Sequence, residues 1–337
     1  MDALTVVGAG GIGCAVGYCL AAAGVRVTFV DADPDKVRDG RRHGVRVDRL
    51  PPQPAAFVPF ADWSPAADDV VLLCTKCYDN AAVLARLPAS VALLPIQNGF
   101  DPALAAPGGA EGIASFVSEC LPHVPHTRIT RRGKLHLGLR GPEGGLRSMP
   151  YESRAGHAPQ ARPSVIAALL RRTPLFRVVE VPDILPYKHT KLMYNAAISP
   201  LAAAAGLDNG QLLSVPPARR LFFALLRENH AVLTGAGVAL GKVGPFHPAT
   251  VQRILRRPLV ARCLAWAFEP TLRGTYCSMS GDLPRGRTEI DYYNGHLIRL
   301  AAGRPCPLNR LVYDLVKRME RERLPPAVEV LGALAAA

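Results

Sequence analysis

The segment Gly8-Ala9-Gly10-Gly11-Ile12-Gly13 constrains this chain more than any other feature, because of what flanks it. Residues 4–7 read as a short buried strand that runs straight into the glycines. Residues 14–23 read as a helix ending at Gly24, and residues 25–30 as a second strand with Asp31 at its end. A glycine pattern alone is weak, but in a strand–turn–helix–strand context it is the fingerprint of a dinucleotide-binding turn. Gly8 serves the tight turn, Gly10 the approach of backbone to a pyrophosphate, and Gly13 the close packing of helix on strand. The N–H groups and positive end of the helix then face the phosphates. Ala9, Gly11 and Ile12 complete the cofactor-side set.

Asp31 stands where an acidic residue accepts hydrogen bonds from the adenosine ribose, about 20 residues past the glycines. A carboxylate there repels a 2′-phosphate and favours NAD over NADP. Arg38, Arg41 and Arg42 follow on the next helix and keep NADP open. Asp33, before Pro34, is the natural cap of that helix.

The same α/β grammar continues to about residue 181. Strands are expected at 45–47, 70–74, 91–96, 112–120, 134–138 and 176–181, with helices at 81–87 and 165–170. The Pro-rich run 50–65 reads as a loop, and 141–161 as a polar stretch. The continuous apolar run at 70–74 suits a parallel strand covered on both faces. Lys76 and Asn98 lie just past two strand ends, where open parallel sheets bind ligands. From residue 182 helical periodicity takes over, at 188–205, 211–235, 247–255 and onward, 288–302 and 309–323. The chain thus divides into a Rossmann-type domain over 1–181 and an all-α domain over 182–337, and 337 residues with 49% hydrophobic content can fill two cores.

Composition excludes several classes. The net charge of +13 comes from 40 basic against 27 acidic residues, but the arginines are scattered in pairs rather than gathered with aromatics. That pattern reads as solvated surface, not a nucleic-acid platform. No stretch is long and apolar enough for a membrane span, and the N-terminus lacks a basic leader. Eight cysteines sit largely in apolar segments of a long chain, as reduced thiols of a cytoplasmic protein do. Cys74 and Cys77 have redox spacing but read as small core residues. His123, His126 and His136 have no accompanying Cys or carboxylate set in sequence, so no metal site is expected.

The helical half carries the chemistry. Lys191, Asn195 and Ser199 recur every four residues, forming one polar stripe in an otherwise apolar helix. Such a stripe can be plain solvated surface, but burial would lower the lysine pKa and make it a usable proton donor. Pro200 should kink or interrupt the helix. Glu289, Tyr293 and His296 would share one face of a helix over 288–302, with Thr288 as its cap and Asp291 complementing its dipole.

The ordered set of Gly8–Gly13, Lys76, Gln97-Asn98-Gly99, Lys191-Leu-Met-Tyr-Asn195, Ser199-Pro200-Leu201, Asn209-Gly210, Ser278-Met279 and Thr288-Glu289-Ile-Asp291 with Asn294-Gly295 resembles the ketopantoate reductase family from end to end. The resemblance implies a helical domain of the 6-phosphogluconate dehydrogenase type and an NAD(P)-dependent reduction of a 2-oxo acid, 2-dehydropantoate to pantoate with NADPH on the route to pantothenate, so that the resemblance favours NADP where Asp31 favours NAD. It makes Lys191 the catalytic lysine and general acid, and Glu289 the acid beside the reacting centre. Asn98, Asn195, Ser199, Asn209 and Ser278 fall on substrate-side positions, and Lys76, Asn98 and Ser118 on cofactor-side positions. It also leaves room for a homodimer. The chain departs from the pattern in three places. Ser199 replaces an asparagine, the spacing from Ser278 to Glu289 is about one residue short, and Asp31-Ala32 replaces an uncharged residue followed by Arg. These leave open a relative acting on a different carbonyl, or a non-catalytic dinucleotide sensor.

Overall fold

The computed structural model describes residues 1–141 and 163–336; the expected polar stretch lies, from residue 142 on, outside them. The described residues form two units, 1–141 with 163–185 and 186–336.

The first unit runs β1 (Ala3–Val7), α1 (Gly11–Ala22), β2 (Arg26–Asp31), α2 (Pro34–His43), β3 (Arg46–Val47), β4 (Ala56–Pro59), β5 (Val70–Leu73), α3 (Asn80–Leu84), β6 (Ala92–Pro95), β7 (Ala110–Ala114), β8 (Val117–Cys120), β9 (His126–Arg131), β10 (Lys134–Leu139), α4 (Pro163–Leu170) and β11 (Arg177–Asp183). A five-stranded parallel sheet has the order β4-β2-β1-β5-β6, so the direction of winding reverses between β1 and β5. Both its faces are covered, and Val6, Phe29, Leu72 and Leu94 are wholly buried. Two three-stranded sheets, β11-β10-β7 and β3-β9-β8, complete the unit.

Two expectations are corrected here. The Pro-rich run contains a strand, β4, paired with β2 from Thr28↔Ala56 to Asp31↔Pro59. It is an edge strand with its proline at the end, where a missing N–H costs the ladder little. The strand expected over 112–120 is two, because β7 pairs with β10 and β8 with β9.

His136 on β10 is 1% exposed. Burial, reinforced by the Lys134 charge, pushes its imidazole down to about 4. The unfolded chain, with a value of about 6.5, takes up the proton first as pH falls. Stability present above pH 6.5 is therefore lost progressively towards pH 4, by about 3 kcal/mol at most. Denaturant unfolding read by Trp63 fluorescence, in a Trp266→Phe background, should show a shallower loss between pH 7 and 4 once His136 becomes Gln. Identical pH slopes with and without His136 would refute this.

The second unit is helical: α5 (Leu185–Ala205), α6 (Gln211–Ser214), α7 (Pro216–Gly235), α8 (Pro248–Leu255), α9 (Pro258–Phe268), α10 (Ser278–Asp282), α11 (Asn294–Ala301), α12 (Pro307–Glu322) and α13 (Val330–Ala336). The helix expected over 211–235 is broken at Val215, and Pro216 starts α7 in the first-turn position that tolerates proline.

The expected interruption at Pro200 does not occur, and α5 continues through it to Ala205. Proline removes the N–H that Ala196 O would accept. The Asn294 side chain supplies a substitute, its Nδ2 donating to Ala196 O at 2.9 Å.

The expected helix over 288–302 is also corrected. Glu320 accepts from both the backbone N and the hydroxyl of Thr288, at 2.6 and 2.7 Å. The chain then makes a 3-10 turn at Ile290–Tyr292 and enters α11 only at Asn294. Asp291 is taken by Tyr313 Oη (2.6 Å) and Lys317 Nζ (3.0 Å) rather than left to a helix dipole.

Among the described residues no helix is long and apolar enough to cross a membrane. Among the described residues the eight cysteines form no disulfide; four are buried and Cys263 alone is exposed.

Candidate active site

In the first unit the sheet register gathers the sequence-predicted residues at one end. Val7 lies opposite Val30 on one side and Leu73 on the other, and Leu73 opposite Pro95. Gly8, Asp31, the Thr75-Lys76 loop and the Gln97-Asn98 loop therefore emerge side by side at the carboxyl ends of β1, β2, β5 and β6. This is the edge where open α/β sheets bind ligands.

The glycine turn shows why each position has no side chain. Gly8 has φ +97°, and a Cβ there would lie 2.8 Å from Thr75 N. A Cβ on Gly13 would lie 2.0 Å from Gly8 O, so α1 can approach β1 only without one. A Cβ on Gly11 would lie 2.6 Å from Ser118 O, which brings β8 and Ser118 against the turn. A Cβ on Gly10 meets nothing within 4 Å, so the backbone there faces open space. No side chain caps α1, leaving the N–H groups of its first turn for a ligand. Asn98 Oδ1 is buried without a hydrogen-bond partner. The uncapped turn fits a dinucleotide pyrophosphate lying across it, while the Asn98 oxygen, an acceptor, fits a hydroxyl or amide donor of the ligand and not its phosphates.

Asp31 does more than end a strand. Its Oδ2 accepts from Ala9 N at 2.8 Å, its Oδ1 from Asp33 N at 2.9 Å, and Lys36 Nζ lies 3.6 Å away. Burial opposes the Lys36 charge, but Asp31 and its neighbours outweigh it and hold the ammonium above its ordinary value. Asp33 caps α2, accepting from Asp35 N and Lys36 N. It also meets His123 Nδ1 at 2.9 Å, so folding brings to His123 the carboxylates of Asp33 and Asp35 that spacing alone did not supply. Arg38 pairs with Asp35, and Arg41 Nε donates to Phe57 O at 2.9 Å.

A network the sequence reading missed ties the Lys76 and Asn98 loops together. Asn80, wholly buried, donates to Gln97 Oε1 (3.1 Å) and Asp101 Oδ2 (2.8 Å), while Gln97 Nε2 donates to Thr75 O (2.7 Å) and Asn80 Oδ1 (2.7 Å). Its only trace in the sequence is the polar Gln97 at the end of an apolar strand.

In the second unit α5 carries the polar stripe. Lys191 and Asn195 are half-buried and Ser199 is 5% exposed, so the stripe is partly withdrawn from solvent, most fully at Ser199. Glu289 is 4% exposed and accepts from Tyr293 Oη at 3.2 Å. The two meet across the 3-10 turn rather than along one helical face. His296 stacks on His189 of α5, with ring centroids 6.2 Å apart. The segment from Thr275 to Ser278 gathers the rest. Asn209 N donates to Thr275 O (2.9 Å) and Asn209 Nδ2 to Thr275 Oγ1 (3.3 Å), while Cys277 Sγ donates to Ser199 O (3.4 Å). Asn209 Oδ1 is buried without a partner, and exposed Ser278 opens α10. Thr275 and Cys277 were not expected from the sequence, since their contacts join distant segments.

Comparison with known proteins follows the same division. The sequence profile of ketopantoate reductase PanE/ApbA matches residues 4–143, and that of its C-terminal region residues 183–320. The chain is 31% identical over 259 residues to a 2-dehydropantoate 2-reductase of Pyrobaculum aerophilum, covering 76% of this chain and 79% of that one. It is 25% identical over 321 residues to a 2-dehydropantoate 2-reductase of Archaeoglobus fulgidus, covering 94% and 97%. Among solved structures, a PanE/ApbA family ketopantoate reductase from Ralstonia eutropha superposes with a TM-score of 0.71 at 24% identity, covering 95% of this chain and 99% of that one. D-mandelate dehydrogenase with NADH and anilino(oxo)acetate superposes with a TM-score of 0.70 at 19% identity, again covering 95% and 99%. These two structural likenesses bear on the fold.

Proposed function

The chain belongs to the ketopantoate reductase family, an NAD(P)-dependent oxidoreductase family, and on that premise we propose that it reduces a 2-oxo acid to the 2-hydroxy acid, 2-dehydropantoate to pantoate in the first instance. The observation that carries this reading is the stripe of Lys191, Asn195 and Ser199 embedded on α5.

The glycine turn, Lys76, Asn98 and Ser118 would hold the dinucleotide, which when bound supplies a hydride to the substrate carbonyl carbon. Negative charge developing on the carbonyl oxygen is met by Lys191 Nζ, which stabilises it and donates the proton. Glu289, held by Tyr293, orients Lys191 or holds a substrate hydroxyl. Asn98, Asn195, Ser199, Asn209 and Ser278 fix the carboxylate and hydroxyl groups of the substrate, so that reduction occurs from one bound pose.

NADH is the preferred reductant in this reading. A 2′-phosphate would bring its charge to the carboxylates of Asp31, Asp33 and Asp35 at the start of α2. Arg38, one turn into that helix, is engaged by Asp35, and Arg41 and Arg42 sit in its last turn, about 10 Å from its start at 1.5 Å per residue. Steady-state kinetics with 2-dehydropantoate should give a kcat/KM at least about tenfold higher with NADH, which corresponds to about 1.4 kcal/mol. A tenfold preference for NADPH would overturn the assignment.

Ser199 favours a second reading, a different 2-oxo acid. A buried hydroxyl is shorter than an amide and lacks its paired donor and acceptor. A panel of 2-oxo acids assayed with both dinucleotides decides between the two. No turnover with any of them would end the reductase reading.

A further inference from the structure

We propose that Asn294 is a positioning residue for the Lys191–Asn195–Ser199 stripe, acting through the backbone of α5; the inference rests on the role given to Lys191 above. Three wholly buried asparagines, Asn229, Asn294 and Asn309, link α7, α11 and α12 to the helix that carries the stripe. Asn229 Nδ2 donates to Met193 O at 2.9 Å, and Asn294 Nδ2 to Ala196 O at 2.9 Å. Asn309 joins them: its Oδ1 accepts from Asn294 Nδ2 (2.9 Å) and its Nδ2 donates to Asn229 Oδ1 (2.8 Å). Glu228 anchors the set, accepting from Leu308 N (3.0 Å), Asn309 N (2.7 Å) and Asn309 Nδ2 (2.8 Å). Those backbone groups are first-turn donors of α12 that no helical carbonyl can serve.

The amides thus hold two carbonyls of α5 on either side of Asn195. At Ala196 the bond is not redundant. Pro200 has no N–H to give, so Asn294 replaces the fourth-residue donor that an ordinary helix would have. Without it a buried carbonyl facing a proline ring has no partner, and the turn from Asn195 to Ser199 must shift to find one. Displacements of about 1 Å in groups that orient substrate cost rates on the order of 10²-fold.

The test is a double substitution, because Pro200→Ala returns the missing N–H. Asn294→Ala should lower kcat/KM for the 2-oxo acid by about 10²-fold, the loss expected of a 1 Å displacement. The dissociation constant for the dinucleotide, measured by fluorescence, should stay within about twofold, since its ligands are in the other unit. Made in a Pro200→Ala background, Asn294→Ala should cost less than about fivefold relative to Pro200→Ala alone, because residue 200 now serves Ala196 O. Amide hydrogen exchange across residues 194–204 should rise in Asn294→Ala and return in the double variant. Equal losses in both backgrounds, or no loss in either, overturn the proposal. Where Asn294→Ala alone fails to fold, a folded and active double variant supports it and an unfolded one refutes it. Failure of the Lys191 role appears separately, as activity surviving Lys191→Ala, while the exchange pattern reads the Asn294 clamp without turnover.

Discussion

Replacing Lys191 by alanine should abolish measurable reduction of the 2-oxo acid, a loss on the order of 10³-fold or more in kcat, while the chain stays folded. General acid catalysis contributes about 10²–10⁴-fold, and stabilisation of a developing oxyanion about 10²–10³-fold. One ammonium on α5 is assigned both tasks. Lys191 is half-buried on a helix whose Leu192, Met193, Ala196 and Ala197 are wholly buried, so the helix keeps its packing when the lysine is shortened. Thermal unfolding and the dinucleotide dissociation constant should therefore change little. Lys191→Arg separates the two tasks, since guanidinium keeps the charge but does not give up its proton at accessible pH. It should recover part of the electrostatic effect and little of the turnover. Near-normal kcat in Lys191→Ala would remove this residue from the chemistry.

The second large effect concerns the glycine turn, where two neighbouring substitutions should behave differently. In Gly13→Ala the new Cβ would lie 2.0 Å from Gly8 O and 3.2 Å from Cys74 Cβ. Backbone cannot yield as a flexible side chain can, so α1 must move off β1. The expected cost is about 3 kcal/mol or more, at the upper end of overpacking penalties, with dinucleotide binding lost as well. In Gly10→Ala the new Cβ meets nothing within 4 Å, and its φ of −83° suits any residue. That variant should unfold like the parent, yet bind the dinucleotide at least about tenfold more weakly, because the methyl occupies the space the pyrophosphate needs. Melting curves and NADH titration on the two proteins distinguish these outcomes. A Gly10→Ala protein that binds as tightly as the parent would remove the phosphate from that space.

How much of this was legible in the sequence depended on how local each cause was. The glycine turn could be read because its spacing falls within one strand–turn–helix unit, although Thr75 and Ser118, which crowd Gly8 and Gly11, come from segments far along the chain. The stripe on α5 could be read because helical spacing fixes which side chains share a face. β4 was missed because proline density argued for a loop, and only its pairing with β2 made it a strand. The 288–302 segment was misread because Glu320, far along the chain, takes the Thr288 groups expected to cap a helix. Asp31 was read as a ribose ligand, but its engagement with Ala9 N, Asp33 N and Lys36 could not be read from its position.

Local pattern alone was enough for an α/β unit with a dinucleotide-type turn, a helical continuation, and Lys191, Asn195 and Ser199 on one helical face. Periodicity, glycine spacing and strand-end position are properties of short segments. The partial burial of the stripe and the continuation of α5 through Pro200 came instead from packing. The physical reason is that burial and hydrogen-bond completion depend on groups remote in sequence. Ala196 O lacks a donor because of a residue four positions away, and finds one 98 residues on, in Asn294.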